Sequence, residues 1–254
     1  MQDRVELRRW LGVEPPKGLL ACLGALGAWA RGSEQRLEDA LDEAFGVAFA
    51  EGSHADLPAE VFPWLQGGEH AHRFGYVVWA PELPGSDHPV VRIDGTGRLH
   101  PYAPDTPSTF RRLVGEKLGW DPEYDVHMGQ EVFRAMGLPE TERVLSELWP
   151  QVPVGWKHAP TRDGVGVLAP AAAFEEGVRA DPSLSLAEHQ AWVGRLLHQR
   201  KAGSALVVLK DACHVGRKRP GVHRALGGLL AEAYLELGRA PSAQAARRRT
   251  ALQP

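Results

Sequence analysis

Between Phe74 and Asp94 the chain reads Phe-Gly-Tyr-Val-Val-Trp-Ala-Pro-Glu-Leu, then Pro-Gly-Ser-Asp, then His-Pro-Val-Val-Arg-Ile-Asp. Aromatic and β-branched residues crowd these positions, as strands prefer, and the prolines and the Gly-Ser-Asp turn residues bound them. The spacing predicts one strand from Phe74 to Trp79, closed by Pro81, and a second from Val90 to Ile93 after Pro89. Asp94-Gly95 and Thr96-Gly97 then predict a tight turn into a third strand, Arg98 to Tyr102. A meander of three antiparallel strands is the economical reading, and helical patterns flank it on both sides.

Before the meander, short helices are expected over Asp3 to Arg9 and from Lys17 to Trp29, separated by Pro15-Pro16. A third helix should start at an Ser33 N-cap. Its apolar stripe, Leu37, Leu41, Ala44, Phe45, Ala48 and Phe49, recurs at helical spacing. Leu57 to Trp64 carries too many prolines for a helix interior and reads as extended chain or a short turn feeding Gly67-Gly68. Beyond the meander, Ser108-Thr109 should cap a helix through Phe110, Leu113, Val114 and Leu118. Further helices are expected over Gly129 to Met136 and Glu140 to Leu148, with Pro139 near a first helical position. Val152 to Trp156 and Val165 to Leu168 read as two short strands around Thr161-Arg162-Asp163-Gly164.

After Asp181-Pro182 the pattern becomes helix upon helix. Ser185 and Glu188 stand in capping-box relation, and four helices follow: Leu186 to Ala202, Ser204 to Gly216, Val222 to Leu237 and Ser242 to Leu252. Gly203 and Gly238, 35 residues apart, punctuate two helix pairs. Charge changes here as well. The 254-residue chain has a formal net charge of −3, yet residues 195–254 hold 12 Lys+Arg against 3 Asp+Glu. Such asymmetry predicts two modules with different surfaces, 1–181 and 182–254. Hydrophobic residues at 43% and charged residues at 24% describe a globular chain, not a disordered one. No secretory signal is expected, since the first ten residues are charged. The apolar run near Leu19 to Ala30 is too short to cross a bilayer. A cytoplasmic protein is the expectation, and Cys22 and Cys213, far apart in apolar helical surroundings, suit a reducing compartment as core fillers.

Two resemblances follow. Leu229-Leu-Ala-Glu-Ala-Tyr-Leu-Glu-Leu-Gly238-Arg, with Ala243 beyond, resembles the helix, turn and helix of a tetratricopeptide repeat, and the 35-residue spacing is close to that repeat's period of roughly 34. The preceding unit lacks a small residue matching Ala243. Two imperfect units are fewer than a free-standing array needs, so this module should lean on the first domain. The first module resembles the SUKH superfamily, the Smi/Knr-type fold. The motifs are Glu6-Leu-Arg-Arg-Trp-Leu-Gly-Val-Glu-Pro-Pro, Leu57-Pro58, Gly67-Gly68, Phe74-Gly75-Tyr76-Val77-Val78, His88-Pro89-Val90-Val91 and Ser108-Thr109-Phe110-Arg111-Arg112-Leu113. This likeness covers residues 5–118, departs at Trp29-Ala-Arg-Gly32 where a Trp-Gly or Asn-Gly-Gly element is usual, and leaves 119–181 unaccounted for. It implies an α+β fold, an antiparallel sheet flanked by helices, here followed by an all-α helical-hairpin module. It also implies non-catalytic binding of another protein, often a toxin domain that the family's bacterial members neutralise.

By that resemblance the open side of the sheet and its loops form the docking surface. The candidate residues are Trp64, His70, His72, Tyr76, Trp79, Glu82, Asp87 and Asp94, since aromatics with acidic neighbours suit a cationic partner. Alternate members of the strand, Tyr76 and Val78 among them, must equally serve as core. Two other functions stay open. Arg217, Lys218, Arg219, Arg247, Arg248 and Arg249 form a basic patch able to neutralise phosphates, or to complement the acidic first module, though only Tyr234 offers an aromatic for base stacking. His70 and His72, beside Glu69 and with His54, His88 and His100 near in sequence, are an i, i+2 pair that could share a divalent metal, but no third ligand has a motif-grade spacing. No cofactor is expected. Gly67-Gly68, Gly24-x-x-Gly27 and Gly164-Val-Gly166 lack the strand, glycine and helix order of a phosphate loop. Cys213-His214 point apart on a helix, and no nucleophile elbow exists, so catalysis is not expected.

Overall fold

The computed structural model describes residues 4–51, 57–83, 87–179, 181, 183–216 and 221–252. The chain is α+β and divides into two compact units. The first comprises Met1–Gly52, Phe62–Val77 and Gly85–Leu148; the second comprises Ser53–Val61, Val78–Pro84 and Trp149–Pro254. The boundary expected near 181 falls inside the second unit. The chain leaves the first unit at Leu148, and the second unit takes in two short segments from around the central strands. Among the described residues no helix is long and apolar enough to cross a membrane.

In the first unit, α1 (Arg4–Leu11), α2 (Lys17–Gly32) and α3 (Leu37–Phe45) precede a sheet of five strands. These are β1 (Val47–Phe49), β2 (Val61–Gly67), β3 (His72–Val77), β4 (Val90–Ile93) and β5 (Leu99–Ala103), in that spatial order and antiparallel. The three-stranded meander is therefore present and extended by two strands. The expectation of a helix through Phe49 fails at Gly46, which adopts a left-handed φ of 65° and ends α3. The residues after it pair instead with β2, Val47 opposite Gly67 and Phe49 opposite Leu65. Lys117 and Tyr124 hold the end of α3: the Lys117 ammonium donates to the Asp42 and Glu43 carbonyls, and the Tyr124 hydroxyl to that of Ala44. Ser33 is not the N-cap of α3, which begins after Arg36; it is the C-cap of α2, its backbone N–H donating to the Trp29 and Ala30 carbonyls.

The helices α4 (Thr106–Trp120) and α5 (Val126–Ala135) complete this unit. Asp105, not Ser108, is the N-cap of α4, and its carboxylate accepts from the Ser108 N–H at 2.8 Å. The helix expected over 140–148 does not form. Arg143 pairs with Asp105, Glu142 lies 3.7 Å from Arg112, and the Leu145 N–H turns to the Tyr102 carbonyl, so side-chain ties to α4 and its N-cap and a backbone bond to β5 displace helical bonding. Trp64, Tyr76 and Phe110 form the core, with Trp64 stacked on Tyr76 at 4.9 Å between centroids and edge-on to Phe110 at 5.6 Å.

The second unit opens with a hairpin of β6 (Trp156–Ala159) and β7 (Val167–Pro170), both later in sequence than expected, joined through the foreseen Thr161-Arg162-Asp163-Gly164 turn. Then come α6 (Leu186–His198), α7 (Ala202–Val215), α8 (Val222–Glu236) and α9 (Ala240–Leu252). The Ser185–Glu188 capping box is formed in both directions. Gly203 is not the punctuating residue. It lies in the first turn of α7, where an added Cβ would meet the Phe174 ring at 2.9 Å. The turn counterpart of Gly238 is Arg200. In both helix ends the residue after it donates back to the sixth-residue carbonyl, Lys201 to Leu196 and Arg239 to Tyr234. The internal spacing is thus three residues longer than the glycines suggest, and Arg200 holds a φ of 58° without being glycine.

Candidate partner-binding surface

Asp94 ends β4 and builds its own turn. Its Oδ1 accepts from the Thr96 N–H at 2.9 Å, the Thr96 hydroxyl at 2.6 Å and the Arg98 N–H at 3.0 Å, while Oδ2 lies 2.9 Å from His100 Nε2. The Thr96 hydroxyl first, then His100 and the Arg98 amide, hold this carboxyl far below the usual range, so it is ionised and fixed in direction. Antiparallel register brings Arg92 between Phe74 on β3 and His100 on β5. Side chains alternate across a strand, so His72, two residues before Phe74, shares that face. Burial pushes the His72 imidazole pKa down, and the charges of Arg92 and His70 push it further. The His70 and His72 rings meet edge to face at 5.6 Å.

His70, His72 and Asp94 therefore gather at one end of the sheet with Arg92 and His100. The other expected surface residues lie elsewhere. Trp64 and Tyr76 are completely buried. The Tyr76 hydroxyl bonds the Thr106 hydroxyl at 2.8 Å, so both aromatics are core. Asp87 sits at the start of α4 and accepts from the Thr106 N–H and hydroxyl. Trp79 and Glu82 belong to the second unit, where the Trp79 indole N–H donates to the Val165 carbonyl at 2.6 Å and Glu82 pairs with the buried Arg239. Arg92 and His100 were missed as contributors. The signal for both was strand parity, which requires the pairing register to be known and not merely the strands.

Arg217, Lys218 and Arg219 lie outside the described residues, as does His54. Arg247 and Arg248 are exposed on α9. The Arg249 guanidinium donates to the Leu57 and Val61 carbonyls at 2.6 and 2.7 Å, so its role in the second unit is structural. Among the described residues, no group of three or more histidine, cysteine or acidic side chains stands close enough to hold a metal ion. The His70–His72 pair thus has no third ligand of that kind there. Burial drives the pKa of each thiol, Cys22 and Cys213, up to about 12, which leaves both protonated and poorly nucleophilic. No protein-family model matches the chain, and no curated protein matches it.

Proposed function

We propose that this is a non-catalytic protein-binding protein, of the toxin-immunity or scaffold kind implied by its SUKH resemblance, which docks its partner on the sheet end bearing His70, His72, Arg92, Asp94 and His100. One observation carries the reading: Asp94 is ionised and held by bonds from Thr96, Arg98 and His100, at the sheet end that also bears the Arg92 cation and two further imidazoles, His70 and His72. Such a surface has its orientation settled before contact, so little ordering cost is left for binding. Its mixed charge favours partner selection and encounter rate.

The test begins with the gene neighbourhood, where an immunity role predicts a toxin-like reading frame immediately upstream. Its product, expressed separately, should bind the full-length chain and lose toxicity in its presence. Asp94→Ala combined with His72→Ala should weaken that binding about tenfold or more, as loss of a desolvated charged contact does. Binding left unchanged by the pair would move the interface elsewhere, and absence of both binding and protection would overturn the immunity role.

A further inference from the structure

We propose that the second unit carries a binding groove for a phosphate monoester, set between the first half of α8 and the last turns of α9. The groove measures about 320 Å³. Arg224, Gly227 and Gly228 line it from α8, and Arg247, Thr250 and Ala251 line it from α9. Each set follows the i, i+3, i+4 spacing of one helix face, so the groove runs between two facing stripes. At roughly 10–15 Å³ for each water-sized occupant, it has room for a phosphate together with an organic group.

Its chemistry is cationic. Two arginines line it and no carboxylate does. Arg247 is exposed and has no acidic partner among the described residues. The Thr250 hydroxyl donates to the Ala246 carbonyl at 2.8 Å, which leaves the guanidiniums as the side-chain donors of the groove. A guanidinium matches phosphate oxygens in pairs, and two guanidiniums balance the charge of about −1.5 to −2 that a monoester carries near neutral pH. A phosphodiester, with a single negative charge, is the poorer match. The two glycines differ in what they do. A Cβ on Gly227 would strike the Thr250 side chain, so this glycine lets the helices pack closely. A Cβ on Gly228 would meet nothing within 4 Å, and the residue is exposed. Glycine inside a helix is less stable than alanine, and packing gives Gly228 no reason for that cost. Its missing side chain keeps the groove open and lets a ligand approach the backbone. The groove shares no residue with the surface on the first unit, so the two proposals stand or fall separately.

Full-length protein would be titrated by calorimetry with glycerol 2-phosphate, dimethyl phosphate and a short oligothymidylate. Glycerol 2-phosphate should bind saturably and more weakly as salt rises, and dimethyl phosphate should bind about tenfold more weakly still. Arg247→Gln should weaken the monoester about tenfold, as loss of one charge-assisted hydrogen bond does. Arg195→Gln, which removes the same charge from the exposed face of α6, should leave binding unchanged. Gly228→Leu fills the groove from a position with no neighbour to strike. It should abolish binding while raising the thermal midpoint, which separates a filled groove from a misfolded chain. Equal losses from Arg247→Gln and Arg195→Gln would reduce the effect to diffuse charge and overturn the proposal. So would saturable binding retained by Gly228→Leu, or no binding of the monoester. Binding of the oligothymidylate alone would also overturn it, making the face a nucleic-acid contact instead.

Discussion

The Lys210 ammonium stands 2.7 Å from Glu60 Oε1, a pair 150 residues apart in sequence and almost wholly shut from solvent. The same ammonium donates to the Gly166 carbonyl at 2.7 Å and lies 3.4 Å from Asp163. Glu60 also faces the hydroxyl of the buried Tyr234. A segment from the middle of the chain is thereby tied into the helical second unit. Removing one member of a buried pair leaves an uncompensated charge, which costs about 3–5 kcal/mol. Lys210→Met should lower stability by that order in urea denaturation, and Lys210→Met with Glu60→Leu should recover part of the loss. Additive single losses would contradict direct coupling.

Arg200 closes the α6–α7 turn in a left-handed conformation with a side chain exposed to solvent. Non-glycine residues pay roughly 1 kcal/mol for that conformation. Arg200→Gly should therefore raise the thermal midpoint, whereas Gly238→Arg at the equivalent turn should lower it. The comparison checks the assigned equivalence of the two turns directly.

Gly18 on α2 packs against the Asp87 carboxylate so closely that an added Cβ would overlap it. Gly18→Ala should destabilise by about 1–3 kcal/mol, as overpacking does, despite alanine's better helix propensity. A stabilised Gly18→Ala variant would show that Asp87 does not sit there.

His88 is neutral by preference, since burial lowers its pKa below the ordinary 6.5. Its contribution to stability is present above that ordinary value and is lost as pH falls through the lower folded one. On acidification from about pH 7.5 to about pH 5, wild type should lose more stability than His88→Gln. Parallel pH curves for the two proteins, measured by urea denaturation, would remove the effect.

The buried thiols make a simple chemical prediction. Cys22 and Cys213 should react with a thiol reagent at neutral pH only slowly in the folded protein, and at the ordinary rate once unfolded. Rapid native labelling would require openings that expose α2 or α7.

Periodicity and turn chemistry alone determined the meander around Phe74 to Ile93, the Ser185 capping box, the helical character after Leu186 and the tight turn at Gly238. Each is a local preference that tertiary packing did not oppose. Local pattern could not decide where the third helix stops. Its apolar stripe runs through Phe49, and only pairing with β2 made strand formation after Gly46 the better use of those backbone groups. Nor could it distinguish Gly203, a packing glycine against Phe174, from a turn glycine. The docking candidates divided for the same reason. Trp64 and Tyr76 look like binding aromatics in sequence, but the sheet turns that face onto Phe110 and makes them core. Arg92 and His100 joined His72 and Asp94 only through strand register, and Arg224 and Arg247 came to line one groove only through helix packing. Residue types and spacings record what each side chain can do; long-range pairing decides which of them meet.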